Sequence, residues 1–226
     1  MGNFDFFSTP SVEGGIKLPV CLILDTSGSM SERLRSSRGN VAKIDELNNN
    51  IDMLFDTIIN DSNAKMMCDI CLIGCGGAVP KVICGYSSVD KIHFRHVAAS
   101  GTTPLGASVE LALDLLQKRR QYYRDSGIEH YKPILMIMSD GFPTEDDYIY
   151  QSAAARCSNM VTNEGLKVLP IAIGDGANLR ILNMFSPKVP AKAIADMDVF
   201  KKLFEMLSRS MSNSDNTVFD WLNDQV

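Results

Sequence analysis

Cys21-Leu22-Ile23-Leu24-Asp25-Thr26-Ser27-Gly28-Ser29-Met30 is the stretch whose reading decides the fold. Its first half is an unbroken apolar run, the pattern of a strand covered on both faces. The run stops abruptly at Asp-x-Ser-x-Ser, where the chain must turn out of a sheet. One carboxylate and two neutral hydroxyls on a short loop are hard-oxygen donors, the type that Mg²⁺, Mn²⁺ or Ca²⁺ prefers. Such a set supplies little charge, so an ion held there stays electrophilic and suited to a ligand's carboxylate. Asp and Ser after a strand are also ordinary turn and cap residues. The loop alone therefore fits either a turn or an ion site.

Two later segments bear on that choice. Ser100-Gly101-Thr102-Thr103-Pro104-Leu105-Gly106 leads into a strongly periodic helix, and Ile134-Leu135-Met136-Ile137-Met138-Ser139-Asp140-Gly141 is a second apolar strand ending in an acid and a glycine. In a doubly wound sheet, ligands gather in the crevice at the carboxyl ends of the strands. Three polar segments, each at a strand end or a helix entry, can converge there on one point.

Taken together these segments resemble the von Willebrand factor A domain and its metal-ion-dependent adhesion site. Asp25, Ser27 and Ser29 match the first loop of that site, Thr103 the second and Asp140 the third. Thr103 is preferred to Thr102 because the family's threonine directly precedes the segment that opens the helix. A finer resemblance is to the bacterial tellurite-resistance-associated, TerY-like branch. It rests on residues 101–107, Tyr131-Lys132-Pro133, residues 139–144 and residues 200–205. The family resemblance runs over residues 18–212. It implies a non-enzymatic interaction module in which a divalent cation, Mg²⁺ or else Mn²⁺ or Ca²⁺, takes an Asp, Glu or phosphate of a protein partner. Thr26, Met30 and Gly141 would form the rim of that surface. The TerY-like branch implies bacterial stress or phosphorylation-linked signalling, beside a partner kinase and phosphatase.

The chain has 226 residues, 45% of them hydrophobic, enough for one domain with a substantial core. The expected division is a tail over 1–17, one domain over 18–212 and a tail over 213–226. A net charge of −5 without a basic stripe argues against nucleic-acid binding. Lys118-Arg119-Arg120 is expected to be the solvated end of a helix. No stretch approaches the roughly 18 apolar residues of a membrane span, and no signal-like segment begins the sequence. Cys68 and Cys71 fall in an expected strand, where residues three apart face opposite sides. The cysteines therefore read as small buried thiols, and the expected location is cytoplasmic.

Hydrophobic spacing predicts an α/β sheet, mostly parallel with one antiparallel edge strand and flanked by helices on both faces, a Rossmann-like arrangement. Expected strands lie at 18–24, 66–73, 78–86, 134–138, 168–173 and 191–194. Expected helices lie at 41–59, from Pro104 toward Tyr123, at 147–162, at 178–184 and around 199–207. Residues 30–39 are expected to be a polar loop whose Arg33, Arg35 and Arg38 could favour acidic partners. In the second of these helices the apolar stripe is Leu105, Val109, Leu111, Ala112, Leu115 and Leu116. Near the end of the chain, Val218, Phe219, Trp221 and Leu222 are an apolar cluster that fits a packed strap or a docking peptide.

Two other function classes compete. A metal-dependent phosphohydrolase or phosphate-binding switch could use Ser27 or Ser29. However, the turn is not Gly-x-Ser-x-Gly, and nothing near His93, His96 or His130 marks one of them as a base. An adaptor subunit of an AAA-type ATPase chaperone system would use the same domain.

Overall fold

The computed structural model describes residues 15–36, 39–174 and 176–193. The expected last helix around 199–207 and the cluster near Trp221 lie outside the described residues. A six-stranded sheet forms the centre, in the order β5-β4-β1-β6-β7-β8. Its strands are β1 (Leu18–Asp25), β4 (Cys68–Cys75), β5 (Lys81–Ser88), β6 (Ile134–Ser139), β7 (Lys167–Ala172) and the short β8 (Lys192–Ala193). All neighbours are parallel except β4 and β5. The antiparallel edge follows from the short Gly-rich link, which allows a hairpin and is too short for a crossover helix.

Alternation along the strands builds two cores. Leu18, Val20, Leu22 and Leu24 of β1 pack with Ile44, Leu47, Ile51, Leu54 and Ile58 of α1 (Lys43–Asn60). Cys21 and Ile23 point the other way, toward α3 (Leu105–Asp125) and α4 (Asp147–Asn163). β6 divides in the same manner: Met136 and Met138 lie on the α1 side, Leu135 and Ile137 on the α3 side. Cys68 and Cys71 likewise face opposite cores. Two short helices complete the described chain, α2 (Ser62–Met67) and α5 (Leu179–Met184).

Three local expectations change. Residues expected to be a polar loop form a 3-10 turn (Gly28–Ser31) and an antiparallel hairpin of β2 (Arg33–Ser36) and β3 (Gly39–Ala42), so α1 begins two residues late. A strand pattern was the missing signal, because β2 is mostly polar and β3 has only four residues, one of them glycine. On α3, Leu113 is fully buried and Leu111 only half-buried. Arg119 is not solvated. It is 1% exposed, three and four residues from Leu116 and Leu115 on the helix's inner face. There it donates to Asp69 at 2.5 Å and lies over the rings of Tyr86, Tyr122 and Tyr123. Asp69 in β4 supplies the countercharge that makes this burial tolerable.

Candidate metal centre

Parallel pairing of β1 and β6 places Leu24 beside Met138, so Asp25 and the Ser139-Asp140 pair leave the sheet side by side. Both carboxylates are fully buried. Ser27 returns its backbone N–H to Asp25 Oδ1 at 2.9 Å, which curls the first loop over the strand end. Its hydroxyl lies 3.0 Å from that of Ser29. Ser27 is buried and Ser29 half-exposed, so the pair forms a path from Asp25 to the surface.

The second loop is stapled to the first. The Gly28 N–H donates to the Gly101 carbonyl at 2.9 Å and the Ser100 N–H to the Thr26 carbonyl at 2.8 Å. Thr103, just before α3, is 2% exposed. Its N–H donates to Thr144 Oγ1 at 2.8 Å and its carbonyl accepts from the Thr144 N–H at 3.1 Å, which ties the second loop to the third. Thr102 is exposed and spends its hydroxyl on the Gly77 carbonyl at 2.5 Å. Glu145 accepts the N–H groups of Gly106 and, at 3.2 Å, Ala107, capping the start of α3. The third loop turns at Gly141, where φ is +74° and a Cβ would meet the Asn178 carbonyl at 2.7 Å. Only glycine accepts that conformation beside so close a neighbour.

Asp25, Ser27, Ser29, Thr103 and Asp140 therefore belong to three interlocked loops at the carboxyl end of the sheet's central strands. Three further groups, absent from the sequence reading, complete the cluster. Ser139 donates to Asp25 Oδ2 at 2.5 Å and accepts the Gly141 N–H at 2.9 Å. Lys43, itself buried, lies 3.3 Å from Asp140 Oδ2 and 2.7 Å from Glu32. The preference of serine for strand ends hid Ser139, and Lys43 comes from the far end of a hairpin that the sequence did not reveal. Two residues expected on the rim are interior. Met30 is 0% exposed in the α1-side core, and Gly141 is buried beneath Asn178. The 3-10 turn over Gly28–Ser31 directs Met30 inward. Thr26 is half-buried, and the exposed rim is made by Gly28, Ser31 and Phe142. Arg33 is exposed nearby, whereas the side chains of Arg35 and Arg38 lie outside the described residues.

Burial pushes the Asp25 carboxyl above its ordinary range. The hydrogen bonds from Ser139 and Ser27 pull it down, and the charge of Asp140 pushes it further up. Burial works against the charge of Lys43, but Glu32 and Asp140 outweigh it and hold the ammonium above its usual pKa. With one ammonium between two buried acids, Asp25 is either neutral or, when charged, in need of a further positive charge. Among the described residues no cluster of three or more His, Cys, Asp and Glu side chains occurs. The donors here are instead two acids and three hydroxyls, a hard-oxygen set that fits a divalent cation retaining waters.

No protein-family model matches the chain, and no curated protein matches it. Solved structures do. The PilB minor pilin from Streptococcus sanguinis is similar with a TM-score of 0.60 at 13% identity, over 88% of this chain. This chain spans only 62% of that pilin's length. The manganese-loaded TRAP protein of Plasmodium vivax is similar at a TM-score of 0.53 and 17% identity, over 80% of this chain and 69% of that one. The SpRpn10 VWA domain is similar at 0.52 and 13%, over 83% of this chain and 95% of that domain. Identities this low establish likeness of fold only. The mixed sheet with its single antiparallel edge, the helices on both faces and the match along nearly all of the SpRpn10 domain show that this chain has the von Willebrand factor A fold.

Proposed function

We propose that this chain is a metal-dependent protein-interaction module and not an enzyme, with a cation beside Asp25 and Asp140 taking an acidic group of a partner. The observation that carries this reading is the convergence of Asp25, Ser27, Ser29, Thr103 and Asp140 on three loops stapled to one another. The cation would be Mg²⁺, with Mn²⁺ or Ca²⁺ as substitutes, and the manganese-loaded relative lends support to that choice. When bound, the metal supplies a Lewis-acidic position at which a partner's Asp, Glu or phosphate replaces a water. The residues of this chain do the rest. Asp25 and Asp140 balance the charge, Ser27, Ser29 and Thr103 offer neutral oxygens, and Ser139 holds Asp25 in place.

The surroundings suit a partner whose acid is flanked by an apolar side chain. Phe142, two residues after Asp140, is 49% exposed. Leu179 is 46% exposed and follows Asn178, whose N–H donates to the Asp140 carbonyl at 2.8 Å. Large exposed apolar groups beside a polar centre are typical of contact surfaces. A hydrolytic role has less support, because Ser27 pairs with Ser29, while His96 pairs with Asp52 and His130 with the Tyr131 carbonyl. The setting we favour is cytoplasmic, bacterial, stress- or phosphorylation-linked signalling with a kinase and phosphatase. Its support is the likeness of residues 101–107 and 139–144 to the TerY-like branch, and both stretches lie in the loops of the site. No helix among the described residues is long and apolar enough to cross a membrane.

The test is affinity capture from a lysate with the full chain, in Mg²⁺ and in EDTA, beside Asp25→Ala. A metal-dependent module recovers partners in Mg²⁺ that vanish both in EDTA and with the variant. Identical recovery in all three would end the proposal.

A further inference from the structure

Glu32 and Lys43 are the two feet of the β2–β3 hairpin. Arg33 pairs with Ala42 at its base, and one step further out the Lys43 N–H donates to the Glu32 carbonyl at 2.9 Å. Their side chains meet as well, at 2.7 Å, and Lys43 also reaches Asp140 at 3.3 Å. Lys43 is thus shared between a fully buried acid and an acid that is 67% exposed at the surface. The sharing places a positive charge against one of the two carboxylates that a divalent cation would need.

We infer that Lys43 is a built-in competitor of the metal, a tethered cation that neutralises Asp140 when the ion is away and swings toward Glu32 when it arrives. This rests on the metal-dependent reading above and adds a property to it, an affinity set low by the protein's own charge. Two cations cannot both lie against the buried Asp140 carboxylate without mutual repulsion. The ammonium has somewhere to go, because Glu32 already holds it from the outer side and the lysine stem is flexible. Metal occupancy and the position of the Lys43 ammonium are then one equilibrium. A ligand shifts such an equilibrium only by its different affinity for the two arrangements.

The test is titration calorimetry of the full chain with Mn²⁺ on wild type, Lys43→Met, Glu32→Gln and Asp25→Ala. Methionine keeps the stem and removes the charge. Lys43→Met should bind Mn²⁺ at least about tenfold more tightly than wild type, the low end of what an adjacent charge does to a cation's affinity for a carboxylate. Glu32→Gln removes the alternative partner of Lys43 and should weaken binding severalfold. Binding by Lys43→Met where wild type shows none would support competition in its strongest form. If wild type binds and Lys43→Met binds equally or more weakly, the competition is refuted while the metal-dependent reading stands. If neither binds, or Asp25→Ala binds as well as wild type, both fall. Should Lys43→Met fail to fold, Glu32→Gln decides, and an affinity unchanged or tighter refutes the inference.

Discussion

Asp25 answers two opposed demands. It is fully buried, which favours its neutral form, yet a cation site needs it charged. Asn at this position keeps the shape and removes the charge. Asp25→Asn should therefore lose any Mg²⁺-dependent rise in melting temperature while its metal-free melting temperature stays at or above that of wild type. Thermal melts with Mg²⁺ and with EDTA check both halves, and a metal-free loss of several degrees would contradict the charge argument. Ser139 links Asp25 to the Gly141 N–H through one hydroxyl. Ser139→Ala leaves both groups short of a partner, with an expected loss of about 1–3 kcal/mol in urea unfolding. Orienting partners of this kind also weaken metal binding by about 10–100-fold when removed. Gly141→Ala forces a side chain into left-handed backbone against the Asn178 carbonyl, for an expected loss of at least about 1–3 kcal/mol by the same assay.

At the scale of elements, α3 connects the site to the core. Its first turn is capped by Glu145, which comes from the loop after Asp140, so one carboxylate fixes the second and third loops against each other. Glu145→Ala should destabilise the fold by about 1 kcal/mol, typical of a lost cap, and should lower metal affinity in parallel. A fall in stability with unchanged affinity would mean that the cap does not position Thr103. The other end of α3 is anchored by Arg119, Tyr123 and Asp69, where Tyr123 also donates its hydroxyl to Asp69. Asp69→Ala leaves a buried guanidinium uncompensated and should cost about 3–5 kcal/mol. That variant lies at the far end of α3 from Thr103, so its metal affinity should be retained under conditions where it is folded.

For the molecule as a whole, a cation that binds only the folded state stabilises it in proportion to the logarithm of its concentration, by about 2.7 kcal/mol at 100 times the dissociation constant. Denaturation midpoints measured over a series of Mg²⁺ concentrations should rise accordingly, and a flat response would exclude folding-linked binding. The alternation of buried strands and helices was legible in the chain, because short apolar runs such as 21–24 and 134–138, ending at turn residues, fit strands covered on both sides. The antiparallel edge followed from a link too short for a crossover. That three polar segments lie at strand ends or a helix entry could be read from local pattern, whereas the choice of five oxygen donors among them came from the family resemblance. The hairpin, the burial of Arg119 and Met30, and the presence of Ser139, Lys43 and Glu32 at the site could not be read in this way. Each depends on which partner lies across space: Asp69 from a neighbouring strand makes a buried arginine stable, and Asp140, nearly a hundred residues away, draws in Lys43. Periodicity fixed the layers and the strand ends at which polar loops gather, because burial of apolar side chains repeats with the backbone. Which charges face one another at those ends was decided by the tertiary structure, because pairing energies depend on distance and solvent exclusion, and neither is encoded in local order.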